Sequence, residues 1–290
     1  MYAVSAQVND LEIVKVPLDT AKSFKLRPEA INQALSSDSC IKIVYICSPG
    51  NPTANLVTKA DIQEVLEHPT WNGVVVIDEA YIDFSPEGSS LAEWIAEWPN
   101  LVVMQTLSKA FGLAGIRLGV AFAPPEIASL LNNVKAPYNI SSPTSALAIA
   151  ALQPRNLAVM KSNREKIMKQ RDRMLEELPT IPGIGRFLGG ADSNFLLTEI
   201  LDKPRGGKPS NETAMAVYER LAKTRKVVVR FRGKEVGCLG CLRITVGTKE
   251  EVDELLAELK IVLADIHNNK DGEDGEREEA KEHEANDVIA

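Results

Sequence analysis

The run Val74-Val75-Val76-Ile77, apolar at every position and closed by Asp78, limits the folds open to this chain more than any other feature. A strand with one wet face alternates apolar and polar residues, whereas a run apolar throughout is covered on both faces. Leu101-Val102-Val103-Met104-Gln105 and Leu118-Gly119-Val120-Ala121-Phe122-Ala123 share this character, and Ile41 to Cys47 is a further β-branched run. Helical patterns lie between them. Thr58 stands as a cap before a segment in which Ile62, Val65 and Leu66 share a face and Asp61 sits in the first turn. Buried strands alternating with helices predict an α/β chain with a mostly parallel sheet covered by helices. Open sheets of this kind gather ligands beyond the C-terminal ends of their strands.

The residues that follow each run are chemical ones. Ser48-Pro49-Gly50-Asn51-Pro52-Thr53 follows the first, Asp78-Glu79-Ala80-Tyr81 the second, and Thr106-Leu107-Ser108-Lys109 the third, with Arg117 eight residues beyond the lysine. Singly, each has a plain reading: lysines are nearly always solvated, and Asp78 and Asn51 suit turns. Together they supply an amine, two hydroxyls, a planar cation, a carboxylate and a phenol. Those are the groups needed to hold pyridoxal phosphate, which presents an aldehyde, a phosphate, a ring nitrogen and a phenolic oxygen.

From Pro154 the pattern changes. Residues 155–178 read as one long surface helix, followed by short strands at 193–197 and 226–230 with a helix at 212–222 between them. A strand at 241–246 and a helix from 249 to about 266 close the series. The expected organisation is a large domain at 1–153, a smaller α+β domain at 154–267 and a tail at 268–290. From Lys270 onward the tail carries nine acids against three bases, a composition that predicts disorder. The tail therefore holds most of the net charge of −7. The nearly neutral body has no basic face for nucleic acid. No apolar stretch reaches the roughly 18 residues of a membrane span, and the first residues lack the pattern of a signal peptide. A cytoplasmic or organellar protein with reduced thiols is expected. Cys238-Leu239-Gly240-Cys241 has redox or zinc spacing but no second ligand pair, so no metal is expected. Arg243 lies inside the apolar run 241–246, where an unpaired charge is costly, so a buried partner is expected for it.

Four segments in order are Ser48 to Thr53, Asp78 to Phe84, Thr106 to Gly119, and Gly240 to Thr248. With them the chain resembles the fold-type-I, class II pyridoxal-phosphate-dependent aminotransferases, and among them the histidinol-phosphate aminotransferases. The resemblance runs from Met1 to about Ile266. It implies that Lys109 bonds to the cofactor aldehyde and, once released, moves a proton. Asp78 would pair with the ring nitrogen, Tyr81 and Asn51 with the phenolic oxygen, and Thr106, Ser108 and Arg117 with the phosphate. Arg243 would hold the substrate carboxylate, Arg230 the substrate phosphate, and Asn194 would lie near the substrate. Glu79 and Asp83 complete the motif without an assigned role. The implied reaction converts L-histidinol phosphate and 2-oxoglutarate to imidazole acetol phosphate and L-glutamate in histidine biosynthesis, in a homodimer. Another aminotransferase, a phosphothreonine-type decarboxylase, or an inactive fragment acting as a binding protein remain alternatives. Two departures stand out. Ala54 occupies a turn position where the family carries glycine, and alanine resists positive φ. An N-terminal family segment would precede Met1, with Met1 to Val4 inside a family strand, so truncation and exposed apolar surface are expected.

Overall fold

A computed structural model describes the backbone for residues 2–287 and the side chains for residues 2–268. The chain divides into two compact units, residues 1–164 with 189–193, and residues 165–188 with 194–290. The boundary read from the sequence, 153/154, is the start of helix α6 (Pro154–Glu177), and the division falls inside that helix.

In the first unit, β1 (Ile43–Cys47), β2 (Val74–Asp78), β3 (Leu101–Thr106) and β4 (Gly119–Phe122) form one sheet in that order. The first three are parallel and β4 runs antiparallel to β3, so the sheet is mostly parallel. Side chains alternate across a strand, and the register therefore sorts the sheet into two faces. Ile46, Val75, Ile77, Leu101 and Val103 share one face. They are buried against Ile31 and Leu35 of α2 (Pro28–Ser37) and Ile62, Val65 and Leu66 of α3 (Lys59–Leu66). Each such side chain stabilises the fold by about 1.5–3 kcal/mol relative to exposure. Helix α3 starts where expected: Thr58 Oγ1 accepts a hydrogen bond from the Asp61 N–H.

The opposite face carries Tyr45, Cys47, Asp78, Met104 and Thr106, with Cys47 beside Asp78 and Asp78 beside Met104 in the register. Helix α1 (Tyr2–Val8) comes to this face, its Tyr2 ring 4.0 Å from that of Tyr45. The expectation that Met1 to Val4 lies in a strand is thus corrected for Tyr2 to Val4, Met1 lying outside the described residues. Tyr2-Ala3-Val4-Ser5-Ala6-Gln7-Val8 lacks strict alternation, and its alanines favour a helix. The run at 118–123 is a strand but not a covered one: Val120 and Phe122 remain 48% and 40% exposed. Helices α4 (Pro125–Val134) and α5 (Ser142–Ala151) follow it.

The second unit holds β5 (Ile184–Leu188), β6 (Phe195–Ile200), β7 (Arg230–Phe231) and β8 (Cys241–Thr245) in the order β5-β6-β8-β7. Every neighbouring pair is antiparallel. β6 is buried at all six positions. Helix α7 (Asn211–Thr224) begins at Ser210, whose Oγ accepts from the Thr213 N–H. The strand expected at 226–230 shrinks to Arg230–Phe231. Lys226 adopts φ +59°, which a strand does not tolerate. Helix α8 spans Lys249–Asp287 and so passes the end expected near 266. The acidic tail read at 268–290 lies, from residue 269, outside the residues whose side chains are described.

Candidate active site

The first unit builds its candidate site from the ends of three adjacent strands. β1 gives way to the Ser48–Thr53 loop, which is tied to β2 by a hydrogen bond from the Ser48 N–H to the Asp78 carbonyl (2.9 Å). Asn51 lies exposed in this loop, between the cis Ser48-Pro49 and Asn51-Pro52 peptide bonds. Ala54, fully buried, adopts φ +52°, so the position does require the left-handed conformation that glycine takes freely.

β2 ends in Asp78. Its Oδ1 accepts from the Ala80 N–H at 2.9 Å, and its Oδ2 accepts a hydrogen bond from the Tyr2 hydroxyl. Burial pushes the Asp78 carboxyl above its usual range, while the Ala80 N–H and the charge of Lys109 pull it back. Lys109 is exposed, with Nζ 5.1 Å from the centre of the Tyr81 ring. The amine, the phenol ring and the carboxylate are therefore brought together, although 31 residues of chain separate Asp78 from Lys109.

Thr106, Ser108 and Arg117 lie at and within the β3–β4 connection, where the pairing sets Thr106 opposite Gly119. Thr106 Oγ1 lies 2.8 Å from Ser108 Oγ and accepts from the Ser108 N–H at 3.1 Å. A bond from the Leu113 N–H to the Leu107 carbonyl (3.0 Å) closes the loop between them. Arg117 is exposed at φ +53°, with its guanidinium donating to the Ala114 carbonyl at 2.8 Å.

The second unit carries the other three candidates. Arg230 and Arg243 face each other as register partners on β7 and β8. Arg243 stacks over the Phe195 ring at 5.0 Å and is half-buried rather than enclosed. Asn194 precedes β6 and offers its carbonyl to the Val246 N–H at 2.8 Å. Its Oδ1 is buried without a hydrogen-bond partner among the described residues. An acceptor kept dry in this way is costly unless something else satisfies it.

Sequence reasoning gave Tyr2 no role, and 76 residues separate it from Asp78, so no spacing signals the contact. It also left unassigned the Glu79 carboxylate, which is 2% exposed. Among the described residues, no group of three or more His, Cys, Asp or Glu side chains is placed to hold a metal ion. No helix among them is long and apolar enough to cross a membrane.

The donor set suits pyridoxal phosphate. A reachable amine lies beside a half-buried carboxylate, and a pair of neighbouring hydroxyls shares the β3–β4 connection with an arginine. A carboxylate offers about four acceptor positions, so Asp78 retains capacity for a protonated ring nitrogen beside its two present donors.

Comparison with known proteins agrees with this chemistry. The family model for aminotransferase class I and II matches residues 1–259. The chain is 53% identical over 270 residues to the histidinol-phosphate aminotransferase of Schizosaccharomyces pombe, covering 93% of this chain and 70% of that protein. The histidinol-phosphate aminotransferase structure from Clostridium acetobutylicum superposes with a TM-score of 0.79 at 25% identity, over 91% of this chain and 75% of that one. A Sinorhizobium meliloti structure of the same name, in complex with pyridoxal-5'-phosphate, gives 0.76 at 25% identity, over 91% and 68%. The chain therefore belongs to the class I and II aminotransferases, and among them to the histidinol-phosphate aminotransferases.

Proposed function

We propose that this chain carries the machinery for exchanging an amino group between L-histidinol phosphate and 2-oxoglutarate, with pyridoxal phosphate as cofactor. The observation that carries the reading is the meeting of Lys109, Tyr81 and Asp78 at the ends of β2 and β3, in a chain 53% identical to a histidinol-phosphate aminotransferase. When bound, the cofactor supplies an electron sink for the carbanion at the substrate α-carbon. The rest falls to this chain's own residues. Lys109 would bond to the cofactor aldehyde and, when substrate displaces it, would be the amine that carries the proton from the substrate α-carbon to the cofactor carbon. Asp78 holds a proton on the ring nitrogen by remaining ionised next to it. Its carboxylate is pulled toward the charged form by Lys109, against the effect of burial.

Tyr81 and Asn51 are the proposed partners of the phenolic oxygen. Thr106, Ser108 and Arg117 are those of the cofactor phosphate, for which a planar guanidinium is well matched. Arg243 is assigned the substrate carboxylate and Arg230 the substrate phosphate. The unsatisfied Asn194 Oδ1 supports a substrate-facing role for that residue.

A homodimer belongs to the same proposal. Val120, Phe122, Leu130, Leu131, Val134, and Tyr138 are exposed on and after β4, a concentration of apolar surface that supports a covering protein surface. Sedimentation at twice the 31.7 kDa chain mass tests it directly. The activity is tested by mixing the chain with histidinol phosphate, 2-oxoglutarate and pyridoxal phosphate. Glutamate formation without release of CO₂ supports transamination. CO₂ released from an O-phosphorylated amino acid, without glutamate, would favour the decarboxylase reading instead.

A further inference from the structure

Glu79 adjoins the proposed cofactor partner Asp78, yet the strand pleat turns it to the other side of the sheet. There it continues the core face lined by Val75 and Ile77, and it is 2% exposed. A carboxylate is almost never so buried without partners. Its partners are three donors. Oε1 accepts from the Leu91 N–H at 2.7 Å; Oε2 accepts from the Ser90 hydroxyl at 2.7 Å and from Gln105 Nε2 at 2.8 Å. Its own N–H donates to the Met104 carbonyl at 2.8 Å.

These bonds join two pieces of chain that the proposed chemistry needs in fixed relation. Glu79 is one residue past Asp78. Gln105 is the last residue before Thr106, where the loop to Lys109 begins. We infer that Glu79 is a positioning residue: from the back of the sheet it clamps the β2 end bearing Asp78 to the β3 end leading to Lys109. It touches neither cofactor nor substrate, and it acts through the backbone of both strands. Displacement of about 1 Å at a reacting centre can cost on the order of 100-fold in rate, so a clamp of this kind has a kinetic signature that a merely packed side chain lacks.

The inference rests on the proposed function, and the test separates the two. The full chain, Glu79→Gln, Gln105→Ala and the double variant Glu79→Gln/Gln105→Glu are each titrated with pyridoxal phosphate, reduced with borohydride and mapped for attachment at Lys109. Melting temperature, kcat and KM are measured alongside. Glu79→Gln preserves size but points an amide donor at groups that are already donors. It is expected to weaken cofactor binding about tenfold and lower kcat about tenfold, with KM changed less than threefold. Gln105→Ala leaves Glu79 in place and shifts the same readouts in the same direction, less far. The double variant exchanges donor and acceptor, restores the pairing and returns both values to within about threefold of the parent. If Glu79→Gln lowers only the melting temperature, with cofactor affinity and kcat unchanged, or if the exchange does not rescue, the clamp is overturned. If the parent chain itself shows no attachment at Lys109, the proposed function falls and takes this inference with it.

Discussion

The two sheets of this protein present charge in opposite ways. The first unit keeps its parallel strands apolar and places Asp78, Asn51 and the Lys109 loop just at or beyond their ends. The second unit sets Arg243 within an antiparallel ladder, with Arg230 directly across from it. In the first, parallel register brings Asn51, Asp78 and the Lys109 loop to one edge, because neighbouring strands end side by side. In the second, two like charges share a register position, where repulsion destabilises the pair unless anions or aromatic faces compensate. Phe195 supplies one such face beneath Arg243. In the proposed function the strand ends carry the covalent chemistry and the charged ladder position receives an anion.

The largest expected effect breaks this division at its strand-end side. Lys109→Ala removes the only proposed covalent contact and proton carrier. Transamination, followed as glutamate formation, is expected to fall by about 10³-fold or more. Asp78→Asn keeps the shape and removes the charge, and kcat is expected to fall by about 100-fold, the scale of losing an electrostatic partner at a reacting centre. On the ladder side, Arg243→Lys keeps the charge but loses the planar fork. It is expected to raise the KM for the amino donor about tenfold with a smaller change in kcat. Equal loss of kcat from the arginine and the lysine variants would erase the distinction between the two sheets.

A pH experiment sharpens the same contrast. Burial holds the Asp78 carboxyl above its ordinary range. Folding therefore disfavours its charged form; this cost is absent in acid, sets in as pH rises past the ordinary carboxylate value and is complete above the folded one. Asp78→Asn is expected to raise the melting temperature of the cofactor-free chain at pH 7, with the difference closing toward the usual carboxylate range. A variant that gains stability while losing activity would mark Asp78 as kept for chemistry.

The strand-end candidates of the first unit were legible because they follow apolar runs directly, and each run marks its own end. The candidates of the second unit were less so. Nothing in the spacing of Arg230 and Arg243 reveals that they are opposite each other, and the strand expected at 226–230 was cut short by a left-handed Lys226. Tyr2 and Glu79 escaped for different reasons. Tyr2 meets Asp78 through tertiary packing of a helix that was read as a strand. Glu79 looked like motif filler because its donors, Ser90, Leu91 and Gln105, are scattered over loop and strand. Ala54 was the reverse case, flagged from its residue type and found at φ +52°.

The smallest effect concerns that alanine. Ala54→Gly relieves a left-handed conformation costing about 1–2 kcal/mol but gives up a buried methyl group worth about 0.8 kcal/mol and adds chain entropy. Its net change by urea unfolding is expected within about 1 kcal/mol of zero. Ala54→Val, branched and without room at a fully buried site, is expected to cost about 1–3 kcal/mol from overpacking beyond any strain.

The most direct measurement is mass spectrometry of the full chain after incubation with pyridoxal phosphate and reduction by borohydride. Attachment confined to Lys109, and reduced in Asp78→Asn at limiting cofactor, is the result this account predicts. Attachment spread over surface lysines, with Lys109 no more reactive than the rest, would contradict it.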